Sequence, residues 1–124
     1  MTREEVITYL KTELQFDDKS IGLLDVYVDE LLKFNKQYNL ISKSTESIVW
    51  DRHILDSAQT IKFINTAKNL KICDLGTGAG LPGLIIAIYG YKLGFHVKLY
   101  EKSSVKCKFL NNLINKHKID NIKG

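Results

Sequence analysis

Proline occurs once in the 124 residues, at Pro82. That scarcity, with no Gly- or Ser-rich stretch between segments, excludes a rigid or flexible tether separating two independent domains. Cysteine occurs twice, at Cys73 and Cys107, too few for a disulfide scaffold. Neither cysteine stands at metal-ligand spacing from the three histidines, so no metal site is expected. Cys73 reads as a small core residue and Cys107 as incidental. No uninterrupted apolar stretch approaches the roughly 18 residues of a membrane span. The N-terminus, Met1 to Glu5, lacks the apolar run of a signal peptide. The expectation is a cytoplasmic protein without membrane association.

The composition that remains, 44% hydrophobic and 26% charged, is that of an ordinary folded domain. The first half reads as helices. Thr2 to Glu5 has the form of a capping box, and Val6, Ile7, Leu10 and Leu14 follow at helical spacing. A second helix is expected from about Ser20 to Tyr38, with Ile21, Leu24, Val28, Leu31 and Leu32 on one face. Ser44 or Thr45 can cap a third that carries Ile48, Leu55, Ile61 and Ile64. Residues 1–66 therefore read as a helical cap region, and 67–124 as the sheet-forming portion of the same domain.

Acidic residues are scarce in the second half. Lys and Arg against Asp and Glu number 8 against 11 over residues 1–64, a net of −3, and 10 against 3 over 65–124, a net of +7. Lys98, Lys102, Lys106, Lys108, Lys116, Lys118 and Lys123 would set up a field attractive to phosphate. Lysines also simply solvate helices, and composition does not separate the two readings.

The most informative stretch runs from Lys71 to Gly83. Ile72, Cys73 and Leu75 suit a strand buried on both faces, and the strand carries a carboxylate, Asp74, to its end. Gly76, Gly78 and Gly80 then permit backbone angles and a close ligand approach that a Cβ would block. Pro82 fits the first helical position, and Leu84 to Ile88 continue as an almost wholly apolar helix. Beyond Gly90 and Gly94, His96 to Tyr100 reads as a second strand ending in a second carboxylate, Glu101, with a third strand starting near Asn121-Ile122. This is the opening of a β-α-β unit, whose ligands bind outside the carboxyl ends of the strands. An acid about 20 residues past such glycines commonly grips the ribose hydroxyls, and Glu101 has that place.

Three cofactor classes use loops of this kind. A phosphate-binding P-loop is excluded because no Gly-Lys-Ser/Thr follows the glycines. A dinucleotide site is compatible with Gly78, Gly80 and Gly83 as Gly-x-Gly-x-x-Gly, but that register leaves Asp74 inside the strand, where an unpaired buried carboxylate is costly. The register that opens the turn at Gly76 is the Asp/Glu-x-Gly-x-Gly-x-Gly pattern of S-adenosylmethionine-dependent methyltransferases, complete through Gly80. His53, Asp56 and Ser57 stand at i, i+3 and i+4 and do not make a hydrolase triad, because one helical face offers neither a cleft nor an oxyanion hole. They read as hydrogen bonds tying their helix to the glycine loop. RNA contact or substrate positioning is the other reading, which Asn39 and Arg52 share.

Phe34 to Leu40, then Arg52-His53-Ile54-Leu55-Asp56-Ser57, then the loop with its Leu81-Pro82-Gly83 extension, then Lys106-x-Lys108-Phe109-Leu110, occur in a specific order. Over about residues 20 to 124 the chain resembles the bacterial small-subunit ribosomal RNA methyltransferase G family, also called glucose-inhibited division protein B. The resemblance implies an α/β, Rossmann-like class I S-adenosylmethionine-dependent methyltransferase fold with an N-terminal helical cap. It implies methyl transfer from S-adenosyl-L-methionine to N7 of a guanine in the 530 loop of 16S ribosomal RNA, with that RNA or the small ribosomal subunit as partner. The cofactor contacts carried over are Gly76 and Leu81, with Asp74, Gly78, Gly80 and Glu101 around them. No catalytic residue is expected, since guanine N7 has an in-plane lone pair and no proton, and alignment can provide most of the acceleration. The chain departs from the family pattern at Phe34, where Trp is usual. It also stops before the family's later cofactor contacts, and so reads as a fragment whose sheet is incomplete.

Overall fold

The computed structural model describes residues 1–64 and 68–123. The chain divides into two compact units, Met1–Ile64 and Asn65–Gly124. The expected boundary between 66 and 67 lies outside the described residues.

The first unit is helical. Helix α1 spans Arg3–Thr12 and opens with the expected capping box: Glu5 N–H donates to Thr2 Oγ1 and Thr2 N–H to Glu5 Oε1, at 3.1 and 3.0 Å. Helix α2 spans Asp18–Asn35, earlier at both ends than its apolar spacing suggests. Asp17 caps its start by accepting from Ser20 N–H at 2.8 Å. At its end, buried Asn35 turns Oδ1 back to accept from the N–H groups of Leu40 and Ile41, at 2.7 and 3.0 Å, which ties down the chain leaving the helix. A two-toothed contact from the Arg3 guanidinium to Asp25, with Nη2 at 2.6 and 2.8 Å from the two carboxylate oxygens, joins α1 to α2.

The expected third helix is not one helix. A 3₁₀ segment Lys43–Ile48, a wide π-type turn Trp50–Leu55, a single α-helical turn α3 at Asp56–Ala58 and a 3₁₀ segment Gln59–Phe63 follow one another. The widened turn shifts the apolar face, so that Val49, Trp50, Ile54, Leu55, Ala58 and Ile61 are buried while Ile48 and Phe63 are exposed.

In the second unit, β1 (Lys71–Leu75), β2 (His96–Tyr100) and β3 (Ile122–Lys123) form a parallel sheet in the order β1-β2-β3. Helix α4 (Gly83–Gly90) connects the first two strands, and α5 (Ser104–Lys116) the last two. The fold is thus the incomplete Rossmann-like α/β arrangement that the sequence implies. Val97 aligns with Ile72 and Ile122, and Leu99 with Asp74, so these residues share one face. Helix α4 packs on that face and buries Leu84 to Ile88.

The opposite face departs from expectation. Leu75 is 78% and Tyr100 48% exposed, and Lys71, Cys73, His96, Lys98 and Lys123 join them in solvent. Strand β1 is therefore not buried on both faces, and Cys73 is an exposed thiol rather than a core residue. The physical reason is that the crossover helices cover one side only.

Candidate cofactor loop and the comparisons with known proteins

Strand β1 ends at Leu75 and the turn opens at Gly76, the register with the acid before the first glycine. The N–H groups of Gly76 and Thr77 donate to Tyr100 O at 2.8 and 3.0 Å, which pins the start of the loop to the end of β2. Gly76, Gly78 and Gly80 have φ of 68°, 60° and 100°, the left-handed region that glycine tolerates. At Gly76 and Gly78 a Cβ would meet nothing within 4 Å, so that side of the loop is open space. At Gly80 it would approach Leu110 Cδ2 to 2.8 Å, so there the glycine lets α5 close on the loop.

The two carboxylates do different work. Asp74 Oδ2 accepts from Thr77 Oγ1–H at 2.6 Å and from Gly83 N–H at 2.9 Å, fastening the loop to its strand at one end and to the first turn of α4 at the other. Thr77 is 2% exposed, so its hydroxyl depends on that acceptor. The Asp74 carboxylate is paired inside its strand, so the penalty raised against the dinucleotide register does not arise. The observed end of β1 carries that distinction instead. Pro82 takes the cap position before α4 rather than the first helical one.

Glu101 follows β2 directly. Its Oε1 accepts from Gly78 N–H at 2.8 Å and its Oε2 from Ser103 N–H at 2.9 Å. These backbone donors, Ser103 first and Gly78 second, hold the carboxyl below its ordinary value. Each oxygen keeps lone-pair capacity for a further donor, as two vicinal hydroxyls would supply. Cys107, expected to be incidental, donates Sγ–H to Glu101 O at 3.1 Å. Leu99, Tyr100, Glu101, Cys107, Leu110 and Asn111 line a cavity of about 340 Å³ beside this carboxylate. The sequence gave no signal for the Cys107 and Ser103 contacts, which depend on where α5 begins. An open glycine cradle bounded by a ribose-competent acid fits a nucleoside-bearing cofactor.

Chemistry in the helical unit is local. His53 Nε2 lies 2.9 Å from Thr45 Oγ1, and Thr45 Oγ1–H is donated to Ser42 O at 2.8 Å, so the threonine accepts from His53 Nε2–H. Partial burial, with Arg52 contributing, lowers the His53 pKa, so the ring is neutral at pH 7. Asp56 and Ser57 begin α3, with Ser57 buried. Among the described residues there is no group of three or more His, Cys, Asp or Glu that could hold a metal ion, and no helix is long and apolar enough to cross a membrane.

A family profile described as rRNA small subunit methyltransferase G matches residues 20–124. The chain belongs to that family. Among its relatives is a Methylorubrum populi protein named ribosomal RNA small subunit methyltransferase G, 41% identical over 101 residues, covering 81% of this chain and 47% of the relative. A Rickettsia bellii protein of the same name is 42% identical over 90 residues, 73% of this chain and 45% of the relative. One from Methylobacterium radiotolerans is 42% identical over 87 residues, 70% of this chain and 40% of the relative. The chain spans about half the length of the curated relatives it matches. The methyltransferase G match contains the whole glycine loop, both carboxylates and all three strands.

Proposed function

We propose that this chain is the cofactor-binding portion of a cytoplasmic S-adenosyl-L-methionine-dependent methyltransferase acting on N7 of a guanine in the 530 loop of 16S ribosomal RNA. The observation that carries the reading is the placement of Glu101 at the carboxyl end of β2, bonded to the Gly78 N–H across a loop that is open at Gly76 and Gly78. Family membership supports the reaction class, and the relatives' names support a small-subunit ribosomal RNA substrate.

In this reading Glu101 receives the ribose hydroxyls, and the backbone of Gly76, Gly78, Gly80 and Leu81 borders the rest of the cofactor. Asp74 serves the site by holding the loop. Bound S-adenosylmethionine supplies an electrophilic methyl on a sulfonium. The chain supplies orientation and no general base, consistent with an acceptor nitrogen that has no proton to lose. The helical region 1–66 acts with 67–124 as one functional domain. The basic balance of 65–124 suits attraction of RNA phosphate.

Calorimetric titration with S-adenosylhomocysteine tests this, with NADH as control and Glu101→Ala as the site-specific variant. Micromolar affinity, about 8 kcal/mol, that disappears in Glu101→Ala and is absent for NADH is the expected result. Tighter binding of NADH would overturn the cofactor class in favour of a dinucleotide module. No binding of either ligand by the folded chain would mean that these 124 residues do not form the site alone.

A further inference from the structure

The uncovered sheet face has a definite chemistry. Parallel sheets in α/β proteins are covered on both faces, because their crossover connections place helices there. Here both helices serve one face, and the other presents a cationic end and an apolar end. His96 aligns with Lys71, and Lys98 with Lys123, toward the starts of the strands. Leu75 aligns with Tyr100 at the ends, with exposed Cys73 between. A groove of about 320 Å³ runs over this face, lined by Lys71, Cys73, His96, Lys98 and Lys123 among others, with Asp120 the one acid. Beside it, β1 pairs only with β2 and leaves its other edge without a strand among the described residues.

We propose that this face and the free edge of β1 are a docking surface for a polypeptide equivalent to the half of the relatives that this chain does not span. That segment would add a strand along β1 and lay an amphipathic helix over the groove. Its carboxylates would meet Lys71, Lys98 and Lys123, and its apolar side chains would meet Cys73, Leu75 and Tyr100. Three observations favour this occupant. The relatives are about twice as long as the matched region, so polypeptide of the required size exists in the family. The cationic end calls for an acidic partner, which disfavours a second copy stacked face to face, since its lysines would meet their own kind. A bare strand edge is completed by backbone N–H and C=O groups, which a protein has and RNA lacks. The inference rests on family membership and is independent of which cofactor the loop binds.

The test is co-expression of the 124-residue chain with a tagged C-terminal half of the Methylorubrum populi relative. Light scattering reads the stoichiometry, and peptide-level mass spectrometry reads alkylation of Cys73 and amide exchange over residues 71–75. The expected result is an equimolar complex in which Cys73 alkylation and β1 exchange slow by about tenfold or more. Leu75→Arg should abolish the complex. It should leave the melting of the chain alone unchanged, because that side chain already lies in solvent. A direct fusion of the two segments, which removes any dependence on encounter, should protect Cys73 equally.

Cys73 remaining as reactive in the fusion as in the chain alone would overturn the proposal. So would a complex indifferent to Leu75→Arg, a homodimer of this chain that already protects Cys73, or protection of Cys73 by ribosomal RNA alone. None of these outcomes bears on the homocysteine titration, so the two readings fail separately.

Discussion

Replacing Asp74 tests whether the loop is held by one carboxylate oxygen. Asp74 Oδ2 takes two donors, Thr77 Oγ1–H at 2.6 Å and Gly83 N–H at 2.9 Å. A hydrogen bond to a charged group contributes about 1.5–3 kcal/mol and a neutral one about 0.5–1.5. Asp74→Asn, with its amide oxygen in the same place, keeps both bonds and loses about 1 kcal/mol from each, or about 2 kcal/mol in all. Asp74→Ala leaves a buried hydroxyl and a backbone N–H without an acceptor, at about 1–3 kcal/mol each, or roughly 4 kcal/mol. The chain's single tryptophan, Trp50, lies in the helical unit and does not report on the sheet. Amide hydrogen exchange over β1 and α4 is the appropriate assay. Opening should become about thirtyfold more frequent in Asp74→Asn and on the order of a thousandfold more frequent in Asp74→Ala, at about 1.4 kcal/mol per decade. If the two substitutions have the same effect, or if Asp74→Ala changes exchange by less than about threefold, then Asp74 does not brace the loop.

Gly83→Ala should reproduce much of that effect without touching the acid, because its Cβ would stand 2.7 Å from Asp74 Oδ2 and 2.5 Å from Leu99 Cδ2. A cost of about 1–3 kcal/mol is expected from the same exchange measurement. Asn35→Ala removes the acceptor for the N–H groups of Leu40 and Ile41, and denaturant unfolding followed by Trp50 fluorescence should show a loss of about 2–4 kcal/mol. Glu101 gives the pH dependence. Its pKa is depressed on folding, so its contribution is present above the ordinary glutamate value and lost as pH falls through the lower folded one. The amide resonances of Gly78 and Ser103 should therefore titrate together in that acidic window, and Glu101→Gln should abolish the titration.

The elements most legible in the sequence were those with strong local signals. The Thr2/Glu5 box fixed the start of α1, and the alternation from His96 to Tyr100 matched β2 residue for residue. The glycine pattern located the loop because left-handed backbone at Gly76, Gly78 and Gly80 is a requirement that other residues meet poorly. What was illegible depends on neighbours distant in sequence. Ile72, Cys73 and Leu75 are apolar enough for a doubly covered strand, yet only the α4 side is covered, so composition misjudged Cys73 and Leu75. Between Lys43 and Phe63, apolar spacing was read as one helix. The Ser42–Thr45–His53 hydrogen bonds and the widened turn at Trp50–Leu55 cannot be seen in the positions of apolar residues alone. Asp74 was recognised as part of the site, but its role was not, because the donors it accepts lie on a loop whose path only the fold defines.

The division of labour between the two acids follows from strand register. Asp74 is level with Leu99, whereas Glu101 comes after Tyr100, which is level with Leu75. Glu101 thus stands two residues further toward the carboxyl edge than Asp74, roughly 6–7 Å at the rise of a parallel strand. From its deeper position Asp74 meets the returning backbone at Gly83, while Glu101 reaches the crest of the loop at Gly78. Substitutions that remove one charge and keep the shape should therefore separate. Glu101→Gln should weaken S-adenosylhomocysteine binding by about tenfold or more, since its amide nitrogen cannot accept from a hydroxyl, and should leave exchange over β1 and α4 near wild type. Asp74→Asn should instead lower both in parallel, because any loss of affinity would come through a loosened loop. Paired calorimetry and exchange on the two variants decides the matter. An Asp74→Asn protein that loses affinity while its loop amides exchange as slowly as wild type would place Asp74 in contact with the cofactor and undo the assignment made from register.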